Sequence, residues 1–313
     1  MLPLVRVLAA CLTACFTIAA SSGVGTENEP VREHQLTTEA GNCDGARIRL
    51  VPNVRPSALG EPISLIFTMQ NCSDSDLAVL SHSLWAAGEL RIFFRANTEN
   101  QWQFLRPILV RELRGHKEET LQPGESIAEI IPVYLDASGW VLSNPGVYEF
   151  QAGYLLDSRV VLSNIAKVIV STPRNPNEVA IAQTVTSMEL QRFLYYRGGP
   201  EDVERQLRHI VESTNNAPAA AAMRIAILLN QNARMPQGRK DTKFCSQVGE
   251  LYSHWDTEIV DPRLAVDLSR LMADCDLQIQ RRDLARNVWH TLIGHWPDLL
   301  NDWNVRDEAN RVN

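Results

Sequence analysis

Between Arg47 and Val170 apolar residues recur at every second position. In EPISLIFTMQN, Ile63, Leu65, Phe67 and Met69 share one face, while Ser64, Thr68 and Gln70 share the other. That alternation predicts a strand buried on one side. ELRIFFRANTENQWQFL predicts two strands joined near Asn97 to Asn100. LQPGES predicts a turn into the strand SIAEIIPVYL, and VVLSNIAKVIV supplies a closing strand. Roughly seven strands punctuated by turn signals predict a β-sandwich.

The period changes after Pro173. Val203, Leu207, Ile210 and Val211 fall on one helical face; so do Val248, Leu251, Tyr252, Trp255 and Ile259, and again Leu264, Leu268, Leu271 and Met272. Helix starts are signalled where Asn175, Gly199 and Asp261 each precede a proline, because proline suits the first helical turn. APAAAAMRIAILLN is apolar nearly all round and predicts a central buried helix. The chain therefore reads as α+β in two domains, a β-sandwich over 43–172 and an all-α antiparallel domain over 178–313, with a linker at 173–177. The helices recur about every 40 residues, the spacing of helical-repeat solenoids. If the linker is short, the turn from Pro52 to Gly60 and the ring of Trp140 should lie near the helices.

One stretch refines the β half. In LSNPGVYEFQAGYL, Leu142, Asn144, Gly146 and Tyr148 have the spacing of the tyrosine corner, with Phe150 two positions beyond the tyrosine. The stretch resembles that corner in immunoglobulin-like domains, where the tyrosine hydroxyl bonds back to the upstream backbone and pins a crossover between sheets. The likeness covers about a dozen residues. It implies an immunoglobulin-like sandwich and implies nothing about activity.

The N-terminus carries one cation, Arg6, then an apolar run from Val7 to Ala20 and small residues. This is the pattern of a signal peptide over 1–20, with cleavage near Ala20 to Ser22, followed by a polar lead-in over 21–42. An exported protein, secreted or periplasmic, is the expectation. The alternative is a lipoprotein: LTAC, ending at Cys15, fits a lipidation box, and LAAC, ending at Cys11, fits it too. Against this, FTIAA after Cys15 is still apolar. No segment reaches ~18 consecutive apolar residues, so no membrane span is expected.

Four cysteines remain beyond the leader: Cys43, Cys72, Cys245 and Cys275. Cys43 and Cys72 lie symmetrically about the turn near Ser57. Cys245 and Cys275 continue the apolar faces of two helices that turn near Val260. Intradomain bridges Cys43–Cys72 and Cys245–Cys275 follow. Each closes a loop of about 30 residues, ~3.6 kcal/mol in the chain-entropy account.

Charge and motifs narrow the function. The net charge is −7, and the 30 basic residues form no run, which argues against nucleic-acid partners and acidic membrane surfaces. No HExxH or GxSxG motif occurs, and RGGP at 197–200 is too poor in glycine to cradle a phosphate. His290 and His295 are five apart and diverge on a helix; His295 is expected in a helix seam. Glu250, His254 and Glu258 share a stripe whose simplest reading is a solvated face. SDSD at 73–76 reads as a turn, and Trp102 as cross-strand packing. No catalytic residue, metal or cofactor is assigned.

The segment SDSDLAVLSHSLWAAGE is long and apolar for a loop. It predicts either an added edge strand or a recognition loop. In the second reading His82 and Trp85, beside Asp157 and Ser158, contact a partner. The functional expectation is an exported, non-enzymatic protein that binds a protein partner. The alternatives are an extracytoplasmic enzyme with an interdomain site and a protease-inhibitor-like sandwich.

Overall fold

The computed structural model describes residues 45–52, 55–81, 84–85, 89–96, 99, 101–108, 117–156, 159–184, 186–214, 218–236, 240–254 and 261–312. The expected leader, the lead-in, Cys15, Cys43, His82 and Asp157 lie outside these residues.

The strands are β1 (Ala46–Val51), β2 (Ser57–Ala58), β3 (Ser64–Asn71), β4 (Leu77–Ser81), β5 (Leu90–Ala96), β6 (Gln103–Phe104), β7 (Lys117–Leu121), β8 (Ser126–Pro132), β9 (Leu135–Asp136), β10 (Gly139–Trp140), β11 (Gly146–Leu156), β12 (Arg159–Leu162) and β13 (Ala166–Ser171). One sheet runs β1–β3–β8; the other runs β2–β13–β11–β5–β6, with β12 beside β11. The sheets share a core that includes Leu65, Phe67, Met69, Ile92, Phe150 and Val168. β1 and β13 alternate buried and exposed as a half-buried strand must. The apolar segment after β3 does add a strand, because β4 pairs antiparallel with β7.

The helices are α1 (Pro176–Thr184), α2 (Met188–Tyr196), α3 (Glu201–Ser213), α4 (Pro218–Arg234), α5 (Thr242–Tyr252), α6 (Pro262–Gln278), α7 (Arg282–His295) and α8 (Trp303–Val312), with a 3₁₀ turn at Pro297–Asn301. The proline signals mark real starts. Asn175 Oδ1 accepts the Glu178 N–H at 2.9 Å, and Asp261 Oδ1 accepts the Leu264 N–H at 3.0 Å. Both carboxamide and carboxylate thereby satisfy amides that a helix start leaves without partners. α4 is the central helix, buried at Ala220, Met223, Ile225 and Leu228. The fold is α+β.

β3 corrects the one-sided reading of its sequence. Ser64 and Ile66, on the supposed solvent face, are 0% and 2% exposed. Ile66 and Ala128 instead join the helical core with Ile225, Leu268 and Leu299. The helical layer covers that face, so a small polar residue there is enclosed rather than hydrated. His295 is a second correction. It is exposed and lies edge-on to Trp296 at 4.8 Å, since the buried stripe of α7 runs through Ala285, Val288, Trp289 and Leu292 and the helix ends at His295.

Trp140 packs against the cluster formed by Phe193, Leu194 and Leu207, and Leu59 borders α1 at Val179 and Ala182. Both regions thus meet the helices. Cys245 of α5 bonds Cys275 of α6, with Cα atoms 5.7 Å apart. Cys72 is also a disulfide cysteine; its expected partner lies outside the described residues. Replacing Cys245 and Cys275 by alanine is expected to cost about 2–4 kcal/mol, because the open chain regains the freedom of a long loop. Urea unfolding measures it, and a loss below about 1 kcal/mol would show that α5 and α6 pair without the bridge.

Candidate functional site

A cleft lined by polar groups and aromatic rings lies beside Tyr148. It encloses about 410 Å³ between the β5–β6 hairpin, the β9–β10 hairpin and the chain entering β11. Tyr148 Oη donates to the Asn144 carbonyl at 2.9 Å and accepts the Asn144 N–H at 3.2 Å. Burial pushes the phenol pKa up; the bond to Asn144 opposes this and the nearby Glu99 carboxylate adds to it. The hydroxyl therefore stays protonated and keeps its donor.

The opposite wall is a tight hairpin. Asp136 pairs with Gly139, and Gly139 adopts φ 128°, a conformation that a side chain would strain. The Asp136 Oδ1 accepts from the Ser138 N–H at 2.6 Å and the Ser138 hydroxyl at 2.5 Å. This closes an Asx turn and fixes the carboxylate. Asp136 is 5% exposed, and its second oxygen faces Arg106 Nε at 4.0 Å. Trp140 follows, held by its indole N–H to the Leu142 carbonyl at 3.1 Å and by the Tyr134 ring at 5.1 Å.

The third wall is the β5–β6 hairpin. Phe94 stacks on Phe150 at 6.2 Å, Phe104 is 42% exposed, and Gln103 donates to Glu99 at 3.0 Å. The cleft thus offers one guanidinium, two carboxylates, two amides and several hydroxyls beside aromatic rings. Such a set can orient a polar or charged ligand while its apolar part lies on the rings. Arg106 is the adaptable member, being more than half exposed and at the long limit of an ion pair.

Of the three binding residues expected from sequence, Trp85 alone is among the described residues. Trp85 is 5% exposed and belongs to the core shared by the two sheets. His82 and Asp157 lie outside the described residues. Glu250 and His254 line a shallower groove with Arg208 and Arg224 between α3, α4 and α5; Glu258 is outside the described residues. Among the described residues no three His, Cys, Asp or Glu side chains are grouped to hold a metal ion, and no helix is long and apolar enough to cross a membrane. Sequence reading missed Glu99, Arg106 and Asp136. A partial signal existed in DASG before Trp140, which has the form of an Asx turn.

No family model matches the chain, and no curated protein matches it. Solved structures give partial likenesses. A β-glucosidase from Listeria innocua aligns at 16% identity and TM-score 0.24, over 41% of this chain and 16% of that one. The sporulation control protein Spo0M from Bacillus subtilis aligns at 10% identity and TM-score 0.27, over 49% and 56%. A Salmonella alpha-2-macroglobulin aligns at 10% identity and TM-score 0.25, over 78% and 23%. Likenesses this slight carry no argument about fold or activity.

Proposed function

We propose that the chain is an exported, non-catalytic binding protein, with an immunoglobulin-like sandwich over 43–172, a linker over 173–177 and an antiparallel helical domain over 178–313. Its ligand is a protein partner that places a charged side chain in the cleft beside the tyrosine corner. The sandwich reading is supported by the split of β1–β3–β8 from β13–β11–β5 and by the bond from Tyr148 to Asn144. Export is supported by the N-terminal pattern and by disulfide use, which belongs to oxidising compartments.

The single observation that carries the binding reading is the pairing of Asp136 with Arg106. A buried carboxylate held by its own turn faces a half-exposed guanidinium beside aromatic rings. An incoming carboxylate would pair with Arg106, and the fixed Asp136 would select its geometry; interfaces gain most from such anchors. The test compares the native chain with Arg106→Glu as immobilised baits for the exported fraction of the source cells. A species lost at least ~10-fold from the variant, equivalent to ~1.4 kcal/mol, is the expected result. Equal retention of every species by two equally folded baits would remove the cleft from the binding surface.

A further inference from the structure

The strand orders of the two large sheets end at β1 and β8 in one and at β2 and β6 in the other. A strand at the end of a sheet presents backbone groups that another extended chain can pair with. Three of these four ends carry contacts from the chain itself. On β1, Asn164 Oδ1 accepts the Leu50 N–H at 2.9 Å, and its Nδ2 donates to the Leu50 carbonyl at 3.0 Å. On β8, Ala128 forms a parallel bridge with Asp302. On β2, the Ala58 N–H goes to Glu61 Oε2 at 2.8 Å, and the Ala58 carbonyl takes the Glu61 N–H at 3.0 Å.

β6 differs. Phe93 stands opposite Phe104 and Phe94 opposite Gln103, and the Leu105 N–H continues the ladder to the Ile92 carbonyl at 2.8 Å. Backbone groups alternate sides along a strand. Gln103 and Leu105 therefore face β5, while the Phe104 N–H and carbonyl face away from it. Neither of these two groups has a hydrogen-bond partner among the described residues. The Arg106 carbonyl takes the Ala137 N–H at 3.2 Å, which ends the free edge at the cleft.

The two sides of this edge differ in chemistry. Gln103, opposite Phe94, lies on the cleft side with Arg106. Phe104 borders the cleft and begins an apolar strip on the outer face of the sheet. Its ring packs on Phe93 at 5.9 Å. A Cβ on Gly153 would lie 3.6 Å from the Phe93 ring and 3.3 Å from Val160 Cγ1. Val160 and Leu155, opposite each other across strands, are 63% and 57% exposed. The cation beside this strip, Arg91, is exposed and stands opposite Gly153. Arg95 is already paired with Glu149 at 2.8 Å.

We propose that an extended segment of the protein partner adds to the sandwich as a strand along β6. This deepens the binding function proposed above and rests on it. The segment's backbone pairs with the Phe104 N–H and carbonyl, and its side chains alternate between the two sides. A carboxylate beside Gln103 reaches Arg106. An apolar side chain beside Phe104 lengthens the strip through Phe93, as cross-strand neighbours do.

Random linear peptides displayed on phage, selected on the immobilised native chain, supply the probe. Enriched peptides should alternate acidic and apolar residues. N-methylation of such a peptide should weaken binding at least ~5-fold at one amide, or at two separated by a single residue, and less than ~2-fold at adjacent amides. Phe104→Pro should bind at least ~5-fold more weakly than Phe104→Ala, because both lose the ring and proline also loses the outward N–H. If the proline variant does not fold, the N-methyl scan decides. A peptide sensitive to proline but indifferent to Arg106→Glu keeps strand addition and removes the cleft. A peptide lost to Arg106→Glu but bound equally by the proline and alanine variants overturns strand addition and keeps the cleft. An N-methyl scan without that alternation, or the enrichment of no peptide, also overturns it.

Discussion

Asp267→Ala is expected to destabilise the folded chain by about 3–5 kcal/mol, the cost of stranding a buried charge. Asp267 is 1% exposed, and its Oδ1 accepts from Arg197 at 2.7 Å. Arg197 ends α2 in the left-handed region, at φ 59°, a position that glycine occupies at lower cost. The arginine is held there because its side chain reaches from α2 to α6. Burial and the neighbouring Arg263 draw its pKa down to about 10, so it remains charged at neutral pH. Without Asp267, the Arg197 guanidinium would lose its paired carboxylate while the neighbouring cations Arg263 and Arg270 remain. Arg197 keeps 26% of its side-chain surface in water, which places the loss toward the lower end of that range.

A two-variant comparison separates charge from packing. Arg197→Met/Asp267→Ala should recover at least ~1 kcal/mol relative to Asp267→Ala alone, since it no longer leaves a cation without its partner. Chemical unfolding of both proteins is the measurement. A single variant within about 1 kcal/mol of the native chain would mean that Arg197 turns outward and rehydrates.

Local signals carried much of the fold. The switch from period two to helical period near Pro173, the capped prolines at 176 and 262, and LSNPGVY each report on residues close in sequence. Cys245 and Cys275 were also legible, because both lay on apolar helix faces flanking a turn. The cleft was not. Glu99 and Arg106 come from one hairpin and Asp136 from another, and polar residues in turns look alike whether they face solvent or a shared cavity. The cover over β3 was hidden for a related reason. Ser64 reads as solvent-facing, and only the helical layer laid across β3 encloses it. Periodicity measures one face against the other within an element; it does not say what will cover the polar face.

Trp85→Ala is expected to cost about 3–5 kcal/mol, as deletion of a large buried ring does. The sequence offered two roles for this residue, a recognition anchor and a part of an added layer. The geometry favours packing. Its side chain is 5% exposed and lies in the core with Leu84, Leu90 and Ile92. The Glu129 carboxylate takes its backbone N–H and that of Leu84, and the Leu84 carbonyl accepts the Leu90 N–H at 3.1 Å. The chain between β4 and β5 is therefore held at Leu84 and Trp85 by Glu129 of β8. Its indole N–H is buried without an acceptor among the described residues, so the ring is present for its apolar area and not for a polar contact. Trp85→Phe, which keeps most of that area and removes the unpaired donor, should cost no more than ~1.5 kcal/mol. Thermal and urea unfolding of the two variants decide the matter. If Trp85→Ala retained native stability, the ring would be free to leave the core, and a role in partner contact would again be open.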